Sequence, residues 1–226
     1  MMASDPTQKA AGDSDFQNLK LVSYNMHGFY QGFSVVYELI KTKSPAIFLL
    51  QEHWLTPDNL CVFDKYFPDF FSFGCSAMSK RIESGMLIGR PFGGVVTLIN
   101  NGLRKITQTI YCDERFSIVK IADTIIVNVY LPCSGTQDRT LLCADLIAQL
   151  SSIVVIVNLV EPVTSLLHCC CSDPVSHQLN TFIFRYMLQR CDVLFPSHYP
   201  ATYIKEALNQ QSYIDCSLLA NTAVEI

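Results

Sequence analysis

Polar and apolar positions alternate through Leu19-Lys20-Leu21-Val22-Ser23-Tyr24-Asn25, a pattern that predicts a strand ending on an amide. Met26-His27-Gly28 form a loop. Val35, Val36, Leu39 and Ile40 then recur at helical spacing as far as Lys43, and Pro45 marks the stop. The unbroken apolar run Ile47-Phe48-Leu49-Leu50 predicts a buried strand that surfaces on Gln51-Glu52. Two strands joined by one helix are expected to lie side by side, which brings Asn25 and Glu52 to the same sheet edge. A carboxylate where a core strand surfaces calls for a cation or a donor beside it, because a buried unpaired charge is costly.

From Phe70 the pattern changes to short strands between turn residues. Gly93-Gly94 open a strand from Val95 to Ile99, Asn100-Asn101-Gly102 predict a hairpin turn, and Lys105 to Tyr111 return. A second hairpin pairs Phe116–Ile121 with Thr124–Tyr130 across Ala122-Asp123, and Pro132 closes it. Asp138 to Leu150 carries Leu141, Leu142, Leu146, Ile147 and Leu150 as one helical face, and Ser152 to Val157 predicts a further buried strand. Glu161 to Pro174 shows no period. Val175 to Arg190 has helical spacing, and short strands are expected at Asp192–Phe195, Thr202–Ile204 and Tyr213–Leu219. Helices alternating with mainly antiparallel strands indicate a layered α/β sandwich in one domain.

Composition narrows the picture. The chain of 226 residues is half hydrophobic and only 16% charged, so it is expected to fold around a full core. Residues 1–18 are polar and lack an apolar signal segment, so they are expected to form a disordered tail ahead of a domain spanning 19–226. The longest apolar run, Ile153 to Val157, is far too short to span a bilayer, so a soluble, intracellular protein without membrane contact is expected, nuclear or cytoplasmic. A net charge of -4 argues against broad electrostatic binding to nucleic acid but leaves room for local basic patches at Lys80-Arg81, Arg90 and Arg104-Lys105. Of the ten cysteines, Cys61, Cys75, Cys112, Cys143, Cys191 and Cys216 fall mostly in apolar segments and are expected to be buried free thiols. Cys169-Cys170-Cys171 with His168 and His177 have the composition of a metal site without the spacing of one.

Six segments now fall into a recognisable order: Ser23-Tyr24-Asn25 with Met26-His27-Gly28, Leu50-Gln51-Glu52-His53-Trp54-Leu55, Gly89-Arg90-Pro91-Phe92-Gly93-Gly94, Asn128-Val129-Tyr130-Leu131-Pro132, Ser197-His198-Tyr199-Pro200-Ala201-Thr202-Tyr203 and Ser212-Tyr213-Ile214-Asp215. Together they resemble the endonuclease/exonuclease/phosphatase superfamily, specifically the endonuclease domain of LINE-type non-LTR retrotransposons, which is similar to abasic-site endonucleases and DNase I. The resemblance covers roughly residues 19–226. It implies a four-layered α/β sandwich whose strand ends form a Mg²⁺-dependent phosphodiesterase site acting on DNA. Carried over residue by residue, it implies Glu52 as the metal ligand and Asn25 beside it at the metal, orienting phosphate or metal-bound water. Tyr130 would contact the phosphate, Thr202 and Asp215 would support the site, and Arg90 would grip the substrate. It implies no protein partner.

The chain departs from the family pattern twice. Where the family has Gly-Asp-Phe-Asn after the strand predicted at Ile153–Val157, this chain reads Val157-Asn158-Leu159-Val160, and an amide at Asn158 cannot take a proton from water. The family's closing Ser-Asp-His segment is expected beyond Val224-Glu225-Ile226, which leaves the sandwich one strand short. His27, His53 and His198 are expected to be surface or capping groups and not replacements for the missing histidine. Little or no hydrolysis is therefore expected from a degenerate active site. The alternatives are a non-catalytic nucleic-acid-binding module using Asn25, Tyr130 and Arg90, or a phosphoesterase of the same superfamily.

Overall fold

The computed structural model describes residues 20–85, 89–132, 137–156, 174–185, 189–190, 203–205, 210–212 and 215–221. Its N-terminal part is the expected strand, helix, strand: β1 (Leu21–Asn25), α1 (Phe29–Lys43) and β2 (Ile47–Gln51). Ser44 ends α1 in the left-handed conformation, its N–H on the Ile40 carbonyl, and Lys41 and Lys43 lie in the last turn where a cation complements the helix dipole. The short helix α2 (Val62–Tyr66) leads into β3 (Phe70–Cys75), and α3 (Ser79–Glu83) precedes β4 (Val95–Asn100). The first sheet has the order β1-β2-β4-β3, with β1 and β2 parallel and Asn25 opposite Gln51.

The second sheet is antiparallel throughout. It comprises β5 (Thr107–Asp113), β6 (Phe116–Ile121), β7 (Thr124–Tyr130) and, after the helices α4 (Arg139–Ile156) and α5 (Pro174–Arg185), β8 (Gln189–Arg190). A separate short hairpin, β9 (Tyr203–Lys205) with β10 (Gln210–Ser212), precedes β11 (Asp215–Asn221), which completes the sheet in the order β5-β6-β7-β11-β8. The predicted hairpin across Ala122-Asp123 is present as β6 and β7, with Ala122 in the left-handed region.

Three apolar clusters define the layers. Phe29 and Val36 of α1 and Phe63 of α2 pack on Phe48, Leu50, Val96 and Leu98 of the first sheet. Ile47, Leu49 and Ile99 meet Val119, Ile121 and Ile126 between the sheets. Ile118, Val127 and Val129 on the far side of the second sheet meet Leu146 and Leu150 of α4 and Phe182 and Ile183 of α5. The order helix, sheet, sheet, helix is the expected four-layered sandwich. Because β2 lies between two of these clusters, all five of its residues are buried, which explains its unbroken apolar sequence.

Several local expectations are corrected. Asn100-Asn101-Gly102 do not turn a hairpin: the Asn100 side chain accepts from Gly102 N and caps a 3₁₀ turn over Asn101–Ile106, which carries the chain from the first sheet into the second. Ser152 to Ile156 is not a strand but the last part of α4, because Leu146, Leu150 and Ile153 continue one stripe onto the second sheet, and that packing overrides β propensity. Cys61 is exposed ahead of α2, Cys75 and Cys112 are only half-buried, and Cys143 is buried as expected. The expected strand at Asp192–Phe195 and the Cys169–Cys171 cluster lie outside the described residues. Among the described residues no helix is long and apolar enough to cross a membrane, and no group of three or more His, Cys, Asp and Glu side chains is placed to hold a metal ion.

Candidate active site at the strand ends

Parallel pairing of β1 with β2 places Asn25 and Glu52 at one sheet edge, as the strand pattern required. The Asn25 amide donates to Glu52 Oε1 at 3.0 Å, and its own oxygen accepts from His27 N at 3.0 Å. The other carboxylate oxygen, Oε2, lies 3.8 Å from Nδ1 of the exposed His27. Only 14% of the Glu52 side chain is accessible, yet among the described residues no Lys or Arg forms an ion pair with it. A carboxylate so enclosed, oriented by an amide and left without a fixed cation, suits a hard divalent ion such as Mg²⁺ that brings its own waters.

Backbone geometry around Glu52 is unusual. His27, Glu52 and Trp54 all have positive φ, at 49°, 54° and 55°. Such conformations cost of order 1 kcal/mol each and persist where the surroundings over-determine them. Here the determinants are backbone bonds beyond the strand ends: Gly28 N to Glu52 O at 2.7 Å, Phe29 N to His53 O at 2.8 Å, Glu52 N to Gly94 O at 2.9 Å and Trp54 N to Gly93 O at 3.0 Å.

His53 holds this loop from below. It is fully buried, accepts from Leu55 N at Nδ1 and donates from Nε2 to the Cys75 carbonyl, each at 3.0 Å. Burial lowers its pKa to about 4, with the Cys75 carbonyl opposing in part, so the ring is neutral at physiological pH. Of the two expected roles, surface or capping, burial excludes the first, and the bond from Leu55 N is a local backbone cap. Gly94, at φ +85°, lies against the ring, and a Cβ there would collide with the imidazole. Gly94→Ala is therefore expected to cost about 2–4 kcal/mol through overpacking and a strained φ, read as a lower urea midpoint with an unchanged denaturant slope.

The second sheet reaches the same rim. Tyr130 ends β7, its ring 3.8 Å from where a Gly93 Cβ would stand and 5.3 Å from the Arg115 guanidinium. β11 begins beside it, with Asp215 opposite Tyr130 in register. Arg90 is exposed and shares with Gly28, Tyr30, Trp54 and Pro91 the lining of a cavity of about 290 Å³ next to the Glu52 loop. The structure thus brings Asn25, Glu52, Tyr130 and the Asp215 backbone to one end of the sandwich, with Arg90 nearby. Asn158, Thr202 and His198 lie outside the described residues.

Two side-chain bridges without a sequence-derived role tie the sheets together beneath this rim. Asn128 of β7 is buried, donates to the Leu50 and Val96 carbonyls at 3.2 Å each, and accepts from Gln51 Nε2 at 2.7 Å. Ser117 and Thr97 make a second bridge at 2.9 Å. The one signal available in sequence was an amide inside an otherwise apolar strand.

No protein-family model matches the chain, and no curated protein matches it. Solved structures do. An AP endonuclease from Archaeoglobus fulgidus aligns with TM-score 0.58 and 14% identity over 89% of this chain and 86% of that one. A 3′ phosphatase, NExo from Neisseria, bound to a product DNA hairpin, gives 0.60 and 14% over 89% and 86%. The endonuclease domain of TRAS1, a telomere-specific non-LTR retrotransposon, gives 0.56 and 12% over 88% and 83%. At these identities the likeness shows a shared DNase I-like fold.

Proposed function

We propose, for a chain that has the fold of the endonuclease/exonuclease/phosphatase superfamily, that it is a DNA phosphodiester-directed domain of the LINE-type endonuclease kind, with its metal rim retained and its hydrolysis impaired. The observation that carries this reading is the Asn25–Glu52 bond at neighbouring strand ends, with an enclosed carboxylate and no Lys or Arg paired with it among the described residues. In this reading Glu52 holds Mg²⁺, and Asn25 keeps the carboxylate turned toward it. The bound ion would supply charge neutralisation for the phosphate and the leaving oxygen. Tyr130 and Arg90 hold the DNA strand, and Asp215 supports the rim. Impairment follows from Asn158, an amide where the family pattern has the acid that activates water. The DNA-acting neighbours and the non-LTR retrotransposon domain among them support this substrate class.

Supercoiled plasmid and Mg²⁺ provide the test. DNA binding that weakens with salt is expected, with nicking slow in the native chain and raised by at least about tenfold in Asn158→Asp, given the usual 10²–10⁴-fold worth of a general base. Robust nicking by the native chain, lost in Glu52→Ala, would show hydrolysis to be intact and refute the impairment. Absence of both DNA binding and nicking, in the native chain and in Asn158→Asp, would refute the function itself.

A further inference from the structure

Cys75 closes β3 at a free edge of the first sheet, and Cys112 lies near the end of β5 at a free edge of the second. Strand alternation puts Cys75 on the face of Phe71 and Phe73, which pack into the apolar seam between the sheets. Cys112 is paired with Ser117, whose hydroxyl crosses that seam to Thr97. The two thiols therefore face the same seam, where β3 and β5 pack against each other, and each sulfur lies close enough to influence the other. Both are partly accessible to solvent.

We propose that Cys75 and Cys112 form a reversible disulfide site that takes oxidising equivalents from a low-molecular-weight disulfide such as oxidised glutathione and staples the two sheets at this rim. The inference goes beyond the phosphodiester reading and does not depend on it. The surroundings divide the roles. The Cys112 S–H, chiefly, and Lys80 bring the Cys75 thiol down to about 7 against burial, Asp113 and Glu114, whereas Cys75 and burial push Cys112 up. Lys80 stays at hand because it is held by Asp113 at 3.1 Å and Glu114 at 3.4 Å. Cys75 thiolate attacks one sulfur of the small disulfide and expels a thiolate, forming a mixed disulfide. Cys112 then loses its proton, attacks the Cys75 sulfur and expels the second thiolate. Two protein thiols become one disulfide, and one small disulfide becomes two thiols. Cys61 and Cys143 take no part: the first is exposed beside α2 and the second is buried in α4.

The full reduced chain is incubated with oxidised glutathione at neutral pH, quenched by alkylation and digested without reduction. A peptide pair joined through Cys75 and Cys112, two hydrogens lighter than the reduced pair, is expected. The melting temperature should rise by about 5 °C or more because the closed loop restricts the unfolded chain, and it should return on adding dithiothreitol. Cys75→Ser should lose both effects, and Cys112→Ser should accumulate glutathione on Cys75. Should either variant fail to fold, the peptide map of the unsubstituted chain decides. Cys75 left as a thiol or stably glutathionylated in that chain, or an oxidised form melting no higher than the reduced one, overturns the proposal.

Discussion

Asn128→Ala is expected to lower the unfolding free energy by about 3 kcal/mol or more, from three buried hydrogen bonds at about 1 kcal/mol each and the small cavity left behind. That is a large part of the ~5–15 kcal/mol typical of a domain. The loss is concentrated because the Asn128 side chain alone spans from β7 to both β2 and β4, through Gln51, Leu50 and Val96. Asn128→Asp should be worse, since it buries a charge beside the two carbonyls. Urea unfolding followed by tyrosine and tryptophan emission would measure both. A midpoint for Asn128→Ala equal to that of the parent would mean that Asn128 contributes nothing to holding the sheets together.

Acid is expected to destabilise the chain through His53, with a sign set by burial. The unfolded ring takes up a proton near its ordinary value of 6.5, whereas the folded ring resists protonation down to about 4. Between those values the unfolded state binds more protons, so this contribution is complete above about 6.5 and is lost as pH falls toward 4. At about 1.4 kcal/mol per pH unit, the window removes roughly 3 kcal/mol. Unfolding at about pH 7.5, 5.5 and 4, in EDTA to exclude metal effects, should show the parent losing more stability than His53→Gln. Parallel losses in the two chains would assign the acid sensitivity to other groups.

Asn25 and Glu52 were legible because each ends a strand whose apolar pattern is local, and a single helix between two strands favours parallel neighbours. The β6–β7 hairpin was legible for the same reason. The turn at Asn100 was misjudged because an Asn-Gly signal suits both a hairpin and a capped 3₁₀ turn, and β4 chooses β2 and β3 as partners. Ser152–Ile156 was misjudged because its β-branched run happens to continue a helical stripe. The burial of His53 is not legible in sequence, since nothing adjacent in the chain reveals Cys75 or Gly94 against its ring.

By itself, then, the sequence determined the layered α/β class and the placement of an amide and a carboxylate at neighbouring strand ends, both of which depend on residue type and short-range period. Only the tertiary structure decided how the sheets are joined through Gln51 and Asn128, how His53 and Gly94 lock the Glu52 loop, and that Cys75 and Cys112 share one seam. Those contacts link residues from different strands, and the closeness of two such groups is a property of packing that no local pattern encodes.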